Sequence, residues 1–177
     1  PDYAWAFAYR CRLYELMKYY KASLIDFDRT IALDETIFGD WRSERGLLLN
    51  YGGQYGETIV FCEKTLQENP GSTIALYCIA VAKASWKGLT VAKEAIEKAR
   101  IALLSGLNTE LRGDALYRLS GLAALEGNFQ PALNYLQEAI PLNDEALELV
   151  EHDPAWLNWR EEPHIQSLLT ATTIKPS

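Results

Sequence analysis

The sequence repeats itself, and repeats of this length restrict the fold more than any other feature of the chain. Aligning Met17-Lys18-Tyr19-Tyr20 with Gly52-Gly53-Gln54-Tyr55, Trp86-Lys87-Gly88-Leu89 and Glu126-Gly127-Asn128-Phe129 sets four units in register, 35, 34 and 40 residues apart. Each unit reads as helix, turn, helix. One position before each turn is small (Cys11, Gly46, Ala80, Ser120), and so are two after it (Ser23 and Thr30, Thr58 and Thr65, Ala92 and Ala99, Ala132 and Ala139). Ala, Gly, Ser, Thr and Cys make up 53 of 177 residues, so chance is a poor account of twelve small side chains at twelve matched positions. Close helix packing is the physical reason. A seven-residue separation returns to nearly the same helix face, and small side chains there let paired helices approach at the short end of the usual 8 to 10 Å. Phe27, Cys62, Ile96 and Leu136 lie between the small pairs and can fill the space beside them. Tyr20, Tyr55, Leu89 and Phe129, just after the turns, are expected to clamp each hairpin.

Turn chemistry follows the same frame. Gly52-Gly53, Gly88 and Gly127-Asn128 tolerate the left-handed backbone at helix ends, an aid that Lys18-Tyr19 in the first unit lacks. Asn69-Pro70-Gly71-Ser72 reads as a helix stop followed by an N-cap, and Ser105-Gly106 as the end of the third unit. Six extra residues separate the third and fourth units. Asn108-Thr109-Glu110-Leu111 is read as an early start that lengthens the next helix by one to two turns, with a break between units as the competing reading.

On these residues the chain resembles the tetratricopeptide repeat (TPR) family of 34-residue helical hairpins. The resemblance covers about residues 2–144. It is best where Gly46, Leu49, Tyr55, Thr58, Cys62, Thr65 and Pro70 follow the family pattern, and again over Leu119 to Asp144. Arg10 and Arg45 stand where the family usually has leucine, and Lys83 where it has an aromatic residue. Asp153-Pro154, Leu157, Arg160, Pro163 and Leu168-Leu169 resemble the tail that often closes such arrays. The implied fold is all-α, a right-handed α-α superhelix of four hairpins with capping helices. It forms a single domain over 1–177, with repeats at about 2–35, 37–70, 71–105 and 108–144 and a capping segment at 145–171. A solenoid needs such a cap because its last hairpin has no following repeat to cover it. Residues 143–151 and the Trp156, Leu157, Trp159, Ile165, Leu168 and Leu169 cluster are expected to supply it, which makes the C-terminus read as natural. No equivalent precedes Asp2. The face around Trp5 and Phe7 is therefore left to upstream sequence, to a second copy or to solvent.

Composition narrows function. A net charge of −7 weighs against a nucleic-acid ligand, whose phosphates are gripped by concentrated Lys and Arg. Cys11, Cys62 and Cys78 lack Cys-x-x-Cys spacing and sit in apolar runs, so they read as buried free thiols in a reducing, cytoplasmic setting. The longest nearly uncharged stretch, Asn69 to Ala82, falls short of the ~20 residues of a membrane span, and the visible start has no secretory pattern. His152 and His164 lack metal-ligand spacing, and no phosphate-binding glycine loop is present. Asp26, Asp28, Glu161 and Glu162 read as solvated charges rather than acid/base pairs. No metal, cofactor or enzymatic role is expected.

What remains is the concave surface, which first helices line in the family. Its expected contact residues are Trp5, Tyr9, Arg12, Glu44, Leu47, Asn50, Tyr77, Val81, Tyr117 and Arg118, a mixture of aromatic anchors and orienting charges suited to a peptide or helix. Packing between hairpins is the competing role for Tyr9, Tyr77 and Tyr117. Acidic chaperone tails are not the expected ligand, because the positions that grip them in one well-known class match Ala8, Arg12, Glu44, Ile74 and Cys78 here, with a single cation. Charge runs −1 over residues 1–35, −2 over 36–70, +3 over 71–105 and −7 over 106–177. Glu94 and Lys98 are spaced as an i, i+4 pair on the basic third unit. The reading is a noncatalytic protein-interaction module within a larger regulatory or assembly protein, with self-association through the uncapped N-terminal end as the alternative. An RNA-reading helical repeat and an enzyme rank below both.

Overall fold

The computed structural model describes residues 3–39 and 41–172. Asp2 and Asp40, which the repeat frame places in the first unit and on the inner face, lie outside them. The described residues are all helical, with no strand. Four pairs follow in order: α1 (Ala4–Leu16) with α2 (Tyr20–Leu33), α3 (Trp41–Tyr51) with α4 (Tyr55–Glu68), α5 (Thr73–Lys87) with α6 (Leu89–Gly106), and α7 (Arg112–Leu125) with α8 (Phe129–Ala139). Then come α9 (Ala146–His152), a 3-10 turn (Pro154–Trp156) and α10 (Pro163–Thr172). Each pair packs within itself, and each second helix packs on the next first helix. The first helices α3, α5 and α7 also touch one another and form one layer.

All twelve small residues are buried. Gly46 marks how tight the crossings are: a Cβ there would lie 3.0 Å from Cys62 Sγ and 3.6 Å from Cys78 Sγ. The hydroxyls that these positions bring inside donate back to their own helices or across the pair. Thr30 donates to the carbonyl of Asp26, Thr58 to that of Gln54 and Thr65 to that of Phe61, while Ser23 reaches the carbonyl of Cys11 at 3.0 Å. No polar penalty is left at the crossings. Phe27, Cys62, Ile96 and Leu136 are buried beside them, and Tyr20, Tyr55 and Phe129 are half-buried behind the turns. Leu89 departs from the expected clamp and stays largely exposed.

Gly53, Gly88 and Gly127 take positive φ in three of the turns, and Lys18 takes it in the first at φ 61°. Ser72 caps α5, its Oγ accepting from the amide of Ala75 at 3.3 Å. Between the third and fourth pairs the structure corrects the expected early helix start. The extra length goes into α6, 18 residues running through Gly106, and into a turn that Thr109 organises by donating to the Gly106 carbonyl and accepting from the Leu111 amide. α7 begins only at Arg112.

Arg10 and Arg45, which replace leucines of the pattern, form two-pronged bridges to acids on α2. Arg10 donates to Asp26 from Nη2 at 2.7 Å as well as from Nε, and Arg45 to Asp28 at 2.8 and 3.0 Å. Asp28 is exposed as expected, but Asp26 is buried, because its arginine partner makes burial of the carboxylate tolerable.

Candidate functional site

The layer formed by α3, α5 and α7 is the surface that the sequence assigns to a ligand, and the chain's own C-terminal segment fills it. α9 opens the segment. Its Glu148 accepts from Arg12 Nη2 at 2.8 Å and its Glu151 from Lys18 Nζ at 3.3 Å, both across to the first pair. His152 Nδ1 meets Tyr20 Oη at 2.8 Å, with the rings of Tyr20 and Tyr51 packed around the imidazole. Burial, and then the charges of Lys18, Arg12 and Arg160, hold the imidazole at about 4, so it is neutral in the folded chain near pH 7.

Asp153 is the anchor that follows. Its side chain accepts from Tyr77 Oη at 2.6 Å, from Tyr117 Oη at 3.1 Å and from the amide of Ala155 at 2.9 Å, which starts the 3-10 turn. Burial pushes its pKa up, and those donors together with the charge of Arg118 oppose the rise. Trp156 is completely buried in the cluster that holds Val81, Tyr77 and Tyr117. The chain then returns on itself. Arg160 donates to the carbonyls of Val150 and Asp153, and Trp159 Nε1 donates to the carbonyl of Ala124 at 2.9 Å.

Six of the ten expected contact residues are therefore corrected. Leu47, Asn50, Tyr77, Val81, Tyr117 and Arg118 are buried and not open to a second chain. Tyr77 and Tyr117 hold Asp153. Asn50 donates to the carbonyl of Cys78 at 3.0 Å and ties α3 to α5. Arg118 forks onto Asp114 at 3.0 and 2.8 Å and lies over the Tyr77 ring. Val81 and Leu47 join the two apolar clusters. Arg12 is half-exposed but bridges Glu15 and Glu148. Glu44 stands with Glu15 and Glu145 at the mouth of a cavity of about 270 Å3 floored by Phe27, Phe38 and Leu48. Burial and then the charge of Glu15 push Glu44 up to about 7.

Glu44 and Arg12 reach solvent at this end, and Trp5 and Tyr9 are the two apolar members left in the open. They belong to a stripe along the outer side of α1, where Trp5 is 45% exposed, Tyr9 67%, Leu13 58% and Leu16 49%. Residues spaced by four, four and three recur on one side of a helix. The opposite side of α1, carrying Ala8 and Cys11, is buried against the body of the protein. Leu13 and Leu16 escaped the sequence reading, which assigned each first helix only an inner and a packing side. The missed signal was the apolar character of α1 on both sides, which is what a helix covered on both sides carries.

Among the described residues no group of three or more His, Cys, Asp or Glu could hold a metal ion, and no helix is long and apolar enough to cross a membrane. Cys11, Cys62 and Cys78 are buried and free, and burial pushes the Cys11 thiol up to about 11, away from thiolate chemistry. Glu94 and Lys98 form the expected pair at 2.8 Å, exposed to solvent. No protein-family model matches the sequence, and no curated protein matches it significantly.

Proposed function

We propose that this chain is a noncatalytic protein-interaction module built as a TPR-type solenoid, a right-handed superhelix of four hairpins, serving a larger cytoplasmic regulatory or assembly protein. In this reading the docking surface is the outer side of α1, not the inner face. The supporting observation is the exposed Trp5, Tyr9, Leu13 and Leu16 stripe beside an inner face already filled in cis. Contiguous apolar surface of this kind is the usual mark of an interaction site. Three buried free thiols fit a reducing compartment.

The test is affinity capture with the wild-type chain, with Tyr9→Glu/Leu13→Glu, and with Val60→Glu as a control at an exposed apolar residue of α4. The reading expects the α1 variant to lose the bound proteins while keeping wild-type helicity, and the control to retain them. Identical bound proteins for all three would remove it.

A further inference from the structure

We propose that the outer side of α1 is the contact of a symmetric homodimer, with α1 of one copy lying antiparallel against α1 of a second. The proposal rests on the docking surface described above and names its occupant. The stripe carries no charge from end to end: Trp5, Ala6, Tyr9, Leu13, Leu16 and Met17 occupy the side of α1 turned away from Ala8 and Cys11. With Tyr3, its exposed residues present roughly 700 Å2, a ceiling on what one copy could bury that lies just under the ~800 Å2 per partner of a standard-size interface and above the largest patch of a typical monomer.

Charge favours a second copy at this end. The chain carries −7 overall, but residues 1–35 carry only −1, whereas residues 106–177 carry −7. The acids of that last segment that reach this end, Glu148 and Glu151, are held by Arg12 and Lys18 of the first pair, which reduces the repulsion between two copies meeting here. The cations bordering the stripe are also neutralised within each copy, Arg12 by Glu15 and Glu148 and Arg10 by Asp26. The uncharged face offers no ion pair by which a differently charged partner would be selected.

The sequence of the stripe is self-complementary under a two-fold axis. When two antiparallel copies of α1 cross at Tyr9, that residue meets its own counterpart, Trp5 of each copy meets Leu13 of the other, and Ala6 falls opposite Arg12, which Glu15 and Glu148 hold within its own copy. At the centre large thus faces medium on both sides of the axis, as an isologous contact requires.

Sedimentation velocity of the full chain from ~1 to ~200 μM tests the proposal, since that range covers the weak end of what interfaces of this size span. The expected result is a monomer–dimer equilibrium. Leu13→Glu should move the dissociation constant by about 100-fold or more toward monomer, because it buries an unpaired charge beside the axis, with unchanged helicity. In the complementary direction, Tyr9→Cys under mild oxidation should give a covalent dimer and Val60→Cys none; the three native thiols are buried and do not compete. A wild-type chain that stays monomeric across the range, or a Leu13→Glu chain that dimerises as well as wild type, overturns the homodimer. If a monomeric wild type still loses captured proteins on Tyr9→Glu/Leu13→Glu, the docking surface survives without the second copy. If it loses none, both readings fall.

Discussion

Gly121→Ala should destabilise this protein, against the ordinary gain of about 1 kcal/mol when alanine replaces glycine inside a helix. Gly121 lies in α7 opposite Tyr77 of α5, and a Cβ there would sit 2.1 Å from Tyr77 Oη, 3.1 Å from Cζ and 3.3 Å from Cε2. The tyrosine cannot swing aside, because it is fully buried and its hydroxyl is held by Asp153 at 2.6 Å. Overpacking costs about 1–3 kcal/mol, and a lost hydrogen bond to a charged acceptor about 1.5–3 kcal/mol. After the helix-propensity gain, a net loss of about 1.5–5 kcal/mol is expected. Tyr77→Phe alone should cost about 1.5–3 kcal/mol, since Asp153 keeps Tyr117 and the Ala155 amide. The double variant removes the atom that collides and leaves a 3.1 Å ring contact that a shift of a few tenths of an ångström relieves. It should therefore be little less stable than Tyr77→Phe, a coupling close to the whole Gly121→Ala loss of about 1.5–5 kcal/mol. Urea unfolding followed by far-UV circular dichroism, with slopes compared across the four proteins, measures it. Additivity within about 0.5 kcal/mol would mean that the hydroxyl does not lie against Gly121. The anchoring of Asp153 on the inner face would then be wrong.

Acid should loosen the same segment through His152. Its neutral form is favoured by folding, so its contribution is complete above the unfolded value near 6.5 and is lost as pH falls toward 4, by at most about 3 kcal/mol before screening. His152→Gln should flatten that part of the stability profile, and an unchanged slope would contradict the burial of the ring. Glu44 acts in the opposite sense. Its carboxyl is raised to about 7, so stability falls as pH climbs from 4.5 through 7, and Glu44→Gln should raise the melting temperature at pH 8 but not at pH 4.5. Lys18→Gly should stabilise by about 0.5–1 kcal/mol by relieving the left-handed backbone, because the half-exposed Lys18–Glu151 bridge it removes is worth little. A destabilised variant in thermal unfolding would assign the bridge the larger role.

The helical pairs were legible because their signal is steric and periodic. Ala92, Ala99, Ala132 and Ala139 can be small only where something large would collide, and all four are buried to the last atom. Departures from the pattern were harder to read from residue identity alone. Arg10 in a leucine position signals a missing apolar contact, but its partner Asp26 is 16 residues away and is identified only when α1 and α2 are paired in space. The length of α7 failed for a related reason. Thr109 and Leu111 look like the approach to a helix, yet the threonine hydroxyl bonds back to Gly106 and forward to the Leu111 amide, which makes a turn of them.

The inner face misled the sequence reading because a groove that awaits a ligand and a groove filled by its own chain use the same residues. Tyr77 and Tyr117 offer hydroxyls to a partner, and Asp153 is that partner, 76 residues beyond Tyr77 and 36 beyond Tyr117, while Arg118 is taken by Asp114 four residues before it. The tail motif at Asp153-Pro154 and the tyrosines were both visible in the sequence; the bonds joining them were not. α1 presents the reverse problem. A helix apolar on one side announces one neighbour, whereas Ala8 and Cys11 on one side with Tyr9 and Leu13 on the other announce two. The fold supplies the first of these. The second is the neighbour that the proposed contact between two copies of α1 would supply.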